Sequence, residues 1–141
     1  MSDATVAKKP LPRIDEDSRA YFQAASQGHL VIQRCRVCGH HTFYPRSACP
    51  TCLADELDWV ETSGKGELFS YCFVHRPHHP AFYGEVPITF AAVRLAEGPV
   101  MLTEIRVADT TQIRIGMKLA VEFVPISKDL KLPVWRPASS A

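Results

Sequence analysis

The chain has 141 residues, enough for one ordinary domain or for a small module joined to a compact partner module. Hydrophobic residues make up 46% and charged residues 22%, a globular composition that leaves a core to bury and excludes wholesale disorder. The 16 Lys and Arg nearly balance the 15 Asp and Glu in both halves of the chain, so no stretch has the basic excess that a nucleic-acid phosphate backbone demands.

No apolar run approaches the roughly 18–20 residues of a membrane span. Met1 to Pro12 lacks the apolar stretch of a secretory signal. The expected location is therefore cytoplasmic, in a reducing compartment where paired cysteines bind metal more often than they form disulfides.

Residues 1–14 read as a flexible tail, followed by a first module over 15–62. Asp15, Asp17 or Ser18 is placed to cap a helix over 18–27, with Tyr21, Phe22 and Ala25 on its apolar face and Gly28 ending it. Residues 29–34 alternate as a strand, with Leu30 and Ile32 inward and Gln33 and Arg34 at the edge. Short strands are expected at 41–44 and 57–61. Ser63-Gly64-Lys65-Gly66 reads as a turn and the module boundary.

A second module is expected over 63–138, with 139–141 as a tail. Residues 67–75, 88–95, 100–107, 119–125 and 130–135 are rich in Val, Ile, Phe and Tyr and read as five strands. Glu97-Gly98-Pro99 makes a tight hairpin between the second and third. The link over 109–116 is longer, with room for a helical turn. Five strands in this arrangement fit a small Greek-key barrel such as an OB-fold.

The strongest chemical signal is the spacing C-x2-C-x10-C-x2-C, formed by Cys35, Cys38, Cys49 and Cys52. Thiolates are soft donors that hold zinc at ~2.3 Å, and four of them close a tetrahedral shell. Such a shell has no open position, which makes the metal structural; zinc is expected, and iron is compatible with the same ligands. Gly39 after the first pair supplies the positive φ such a turn uses, whereas Leu53 after the second lacks that freedom, so the second turn is expected to differ in shape. His40 and His41 beside the site offer an alternative fourth ligand or are plain loop residues. Cys72, between Tyr71 and Phe73, reads as a buried, inert thiol.

His75-Arg76-Pro77-His78-His79-Pro80-Ala81-Phe82-Tyr83 holds three histidines, but its prolines keep it extended, so it reads as a stiff surface loop or as a rim gripping a ligand, with Arg76 meeting phosphate or carboxylate. Trp135 either packs the barrel end or joins Arg136 in a binding surface. There is no phosphate-cradling glycine loop, nucleophile elbow or dinucleotide fingerprint.

In sequence order these features are Tyr21-Phe22, Gly28-His29-Leu30, the two cysteine pairs, Tyr44-Pro45-Arg46, Ser63-Gly64-Lys65-Gly66, Val74-His75-Arg76-Pro77, Val86-Pro87, Leu95-Ala96-Glu97-Gly98, Ile115-Gly116-Met117 and Trp135-Arg136-Pro137-Ala138. From about residue 15 to 138 the chain resembles the family of small proteins with a rubredoxin-like zinc ribbon fused to an OB-fold, found beside thiolases and related acyl-CoA enzymes. The resemblance implies a mainly β fold: an N-terminal helix, a zinc ribbon and a five-stranded OB-fold barrel. It implies the four cysteines as metal ligands and no catalytic residue. It also implies an accessory subunit that binds acyl-CoA and scaffolds a thiolase-like, aldolase or hydratase enzyme of lipid or steroid metabolism. By residue type, Tyr21 and Phe22 would face the partner. Phe73, Phe82 and Tyr83 would border the acyl chain or pantetheine, Arg76 and Arg136 would meet CoA phosphates, and His75 and Trp135 would belong to the same acyl-CoA or partner surface. Two rival readings are a single-stranded nucleic-acid binder, which OB-folds with stacking aromatics support, and a rubredoxin-like iron electron carrier.

Overall fold

The computed structural model describes residues 8–138; residues 1–7 and 139–141, parts of the two expected tails, lie outside the described residues. Residues 8–14 form no regular element. The one α-helix among the described residues, α1 (Arg19–Ser26), buries Tyr21 and Ala25, four residues apart and therefore on one face. Its entry is fixed one turn earlier. The Asp15 carboxylate accepts from the Ser18 N–H at 2.9 Å while the Ser18 hydroxyl accepts from the Asp15 N–H at 3.0 Å. Gly28, at φ +86°, ends the helix in the left-handed region as expected. Among the described residues no helix is long and apolar enough to cross a membrane.

A three-stranded antiparallel sheet follows, in the order β2 (His41–Thr42), β1 (Val31–Cys35), β3 (Leu57–Glu61). β2 is shorter than the expected 41–44 because Tyr44 takes φ +56° and leaves the ladder. Gln33 is buried rather than at the edge. Its side-chain amide donates to the Arg46 carbonyl at 2.9 Å and accepts from the Arg46 N–H at 2.8 Å, so a buried polar side chain is satisfied by the loop it folds under.

The second sheet has five strands in the order β6-β5-β4-β7-β8: β4 (Lys65–Val74), β5 (Ile88–Leu95), β6 (Val100–Glu104), β7 (Lys118–Pro125) and β8 (Lys131–Pro137). All neighbours are antiparallel. A parallel bridge from Ile105 to Trp135 curls β6 round to β8, with the Arg106 N–H donating to the Trp135 carbonyl at 2.7 Å. This is the Greek-key closure expected of an OB-type barrel. β6 stops at Glu104, short of the expected 107, because the chain turns there to make that bridge. The link before β7 carries the expected helical turn, at Thr110–Gln112.

The barrel interior holds Leu68, Val93, Leu95, Met101, Leu119 and Trp135, each at most 2% exposed. Tyr21, Leu30 and Ile32 join the same cluster, so α1 and β1 are packed onto the barrel rather than tethered to it. Two expectations fail here. Lys65 and Gly66 belong to β4, not to the turn; Gly66 pairs with both Leu95 and Leu119 at the point where β4 crosses the core. Pro80 does not extend the loop after β4. It opens a 3-10 turn, Pro80–Glu85, at a helix-start position where its missing N–H costs nothing.

Candidate metal centre and apolar groove

The ends of β1 and the loop after β2 bring Cys35, Cys38, Cys49 and Cys52 together, with all four sulfur atoms within 4.8 Å of one another. Cys35 and Cys52 stand 3.6 Å apart, as do Cys38 and Cys49. A disulfide spans ~2.05 Å, whereas four sulfurs ~2.3 Å from a common ion stand roughly 3.8 Å from each other. The cluster therefore has the dimensions of a tetrahedral thiolate shell, and the two histidines are not among the converging groups.

Both cysteine turns have one shape, against the expectation for Leu53. The Gly39 N–H bonds the Cys35 carbonyl at 2.9 Å, and the Leu53 N–H bonds the Cys49 carbonyl at 2.9 Å. Gly39 sits at φ +75° and Leu53 at φ +65°. Closing the same loop around the same point requires the same backbone, and leucine adopts it at a steric cost of about 1 kcal/mol.

Electrostatics divide the four thiols. The Cys38 and Cys52 backbone N–H groups, each in a hydrogen bond to the first sulfur of its pair, hold Cys35 below the usual thiol range and bring Cys49 down to about 6. For Cys52 the Ala54 N–H pulls the same way, but burial and the neighbouring sulfurs outweigh it and push the thiol up to about 12. Cys38 is likewise raised, its His40 N–H contact overcome by burial and by Cys49. Four thiolates in so small a volume repel one another. Full ionisation needs a cation at the centre, and this donor set fits a soft divalent ion.

The other residues singled out from sequence separate into distinct places. Tyr21 packs edge to face on Phe22, ring centroids 5.1 Å apart, and on Phe43 of the ribbon at 5.7 Å, and Phe43 in turn lies against Tyr44. With Phe82, Met101 and Leu132 they line a groove of ≈ 520 Å³ between α1, the ribbon and the barrel. Lys9 crosses its rim, paired with Glu85 and standing 5.3 Å over the Phe82 ring. His75, Arg76 and Tyr83 instead line a separate cleft beyond β4, with Pro77 and Val86. Phe73 stands exposed on β4 itself. Trp135 is 0% exposed and fills the barrel core, so it offers no binding surface; β8 turns it inward where it closes the sheet. Arg136 points the other way, into an exposed pair with Glu122 at 3.3 Å. Cys72 is exposed, not buried, because β4 runs past the barrel there.

Sequence reasoning missed the ribbon and barrel walls of the groove. Phe43, Met101 and Leu132 carry no local signal; only the packing of three distant elements makes them neighbours.

Residues 22–58 match the ChsH2 rubredoxin-like zinc ribbon domain, and residues 59–124 match the ChsH2 C-terminal OB-fold domain. The chain belongs to the ChsH2 family. Similar proteins include a probable enoyl-CoA hydratase alpha subunit of Thermomonospora curvata, 39% identical over 94% of this chain and 41% of that protein. The 3-oxo-4,17-pregnadiene-20-carboxyl-CoA hydratase alpha subunit of Mycobacterium tuberculosis is 36% identical over 57% of this chain and 25% of its own length. The chain thus spans about two fifths of the first of these proteins and a quarter of the second. A DUF35 domain-containing scaffold protein of Pyrococcus furiosus is 32% identical over 72% of this chain and 74% of its own. Among solved structures, a chain of the Ltp2-ChsH2(DUF35) aldolase superposes with a TM-score of 0.82 at 39% identity, covering 92% of this chain and 100% of that one.

Proposed function

We propose that this chain is a non-catalytic accessory subunit of an acyl-CoA enzyme of lipid or steroid metabolism, with a hydratase, aldolase or thiolase-like chain as its partner. In this reading Cys35, Cys38, Cys49 and Cys52 bind one structural zinc. The closed shell leaves the ion no position for substrate, and its work is to hold the ribbon against the barrel.

The groove carries the ligand half of the reading. Its ≈ 520 Å³ falls in the range of small-molecule sites, and its walls are mostly aromatic and aliphatic. Tyr21, Phe22 and Phe82 would border an acyl chain or ring system. Lys9 and Arg106 are the cations that line the groove, and they would meet the polar end of a bound thioester. Arg76 lies in the other cleft, outside the groove. The names of the relatives, two hydratase alpha subunits, a scaffold protein and an aldolase component, support the partner half.

Two measurements test the proposal. Titration with a steroid or long-chain acyl-CoA, free chain and complex alike, should quench or shift signals of Tyr21 and Phe22, and Phe22→Ala should weaken binding by about tenfold. Co-expression with a hydratase or aldolase chain from the same genome should yield a stable complex that turns over acyl-CoA, while this chain alone does not. Binding of single-stranded oligonucleotides in preference to acyl-CoA would overturn the reading.

A further inference from the structure

β4 outruns its second neighbour. It pairs with β7 only at Lys65, Gly66 and Glu67, whereas its ladder with β5 continues to Val74. The last backbone bonds toward the β7 side are made at Leu68, to Gly116 and Met117. From Phe69 to Val74 that edge therefore has no strand beside it among the described residues. Proteins protect such edges with charge, proline or a covering loop. This one carries a β-bulge at Phe69, where its register with β5 shifts, but its run Phe-Ser-Tyr-Cys-Phe-Val has neither charge nor proline. Phe69 is 50% exposed, and Tyr71 and Phe73 pack edge to face with centroids 5.8 Å apart while remaining more than a third exposed.

The charge pattern says what would fit. The edge itself is uncharged, and its far end turns cationic at Arg76, next to His75. These two line a cleft of ≈ 260 Å³ with Tyr83 and Val86. Glu85, the acid of this loop, is already paired with Lys9, and Arg76 makes no ion pair among the described residues. A complementary segment is apolar along the strand and carries a carboxylate at the Arg76 end.

We propose that the free edge of β4, Phe69–Val74, is a docking edge on which an extended, apolar segment of the partner enzyme adds as a further strand, with a carboxylate of that segment paired to Arg76. Main-chain hydrogen bonds supply the attachment, and the exposed aromatics and the cleft select the side chains. The inference rests on the accessory-subunit reading and adds where the partner binds.

Hydrogen exchange of the complex with a co-expressed hydratase or aldolase chain reads the pairing directly. The amides of residues 69–74 that face away from β5 should slow by about tenfold or more relative to the free chain, as paired strand amides do. Tyr71→Glu with Phe73→Glu should cut capture of the partner by roughly tenfold, with metal content and β7–β8 protection unchanged as proof of folding. Arg76→Glu should weaken capture and Arg76→Lys restore part of it. If the wild-type complex forms but residues 69–74 exchange as in the free chain, or the double variant is captured equally, the edge is not the docking site and the accessory reading stands. A homodimer of the chain protected at 69–74 gives the edge to a second copy and also overturns the proposal. Failure of the wild-type chain to bind any such enzyme removes the accessory reading and this inference with it.

Discussion

Gly66→Ala tests whether the barrel is built around a close approach at the start of β4. A Cβ on Gly66 would lie 2.8 Å from the Arg94 carbonyl oxygen, 2.8 Å from Val93 Cγ1 and 3.2 Å from Trp135 Cζ3, where ordinary contact begins at 3.4 Å. One of these atoms is backbone in a paired strand, and Val93 and Trp135 are both 0% exposed, so none can rotate away into space. Overpacking of this kind costs typically 1–3 kcal/mol, and the fixed oxygen places this case near about 2–3 kcal/mol. That corresponds to a loss of roughly 5–10 °C in Tm, or about 1–1.5 M in the urea midpoint. Gly84, which has nothing within 4 Å of its would-be Cβ, is the control, and its alanine variant should stay within about 0.5 kcal/mol of wild type. Urea melts of both variants in the metal-loaded state decide the matter. A Gly66→Ala protein as stable as the Gly84→Ala control would refute the packing described for the β4 crossing.

Elemental analysis should find one metal per chain, and a strong chelator should abolish hydrogen-exchange protection over residues 35–56 while β4–β8 keep theirs, since only Cys35, Thr42 and Cys49 are buried in that segment. Acid should act in the same direction. In the metal-free chain Cys49 titrates at about 6 instead of 9.0, so its thiolate contributes stability that is complete above pH 9 and is lost as pH falls through about 6. Protons also displace metal from thiolates, so metal release followed by a colorimetric chelator should rise on acidification and not on alkalinisation. Leu53→Gly relieves a residue at φ +65° whose side chain is 79% exposed, and should raise stability by about 1 kcal/mol, read as a Tm increase. Gln33→Ala removes both bonds to Arg46 from a buried position and should cost about 1–3 kcal/mol, with faster exchange of the Arg46 amide as its signature.

The difference between what was legible and what was not follows interaction range. Strand β5 was read from sequence at Ile88–Leu95 and β3 at Leu57–Glu61 with the observed limits, because alternation and flanking turn residues are local. The fate of Cys72 was misread for the opposite reason. Its neighbours Tyr71 and Phe73 look like core, but whether a strand is covered depends on how far β7 runs alongside it, and that is set 50 residues away in sequence. Leu53 was misjudged because its intrinsic preference was weighed without the constraint that four sulfurs converge.

By itself the sequence determined which four cysteines converge, the order of the strands along the chain and the resemblance that named the architecture, since spacing, alternation and turn chemistry act over a few residues. Tertiary structure alone decided that Trp135 is core, that Phe22, Phe43 and Phe82 share one groove, and that half of β4 is left bare. Those outcomes depend on which distant surfaces exclude water together, and burial is a property of the assembled chain rather than of any segment in it.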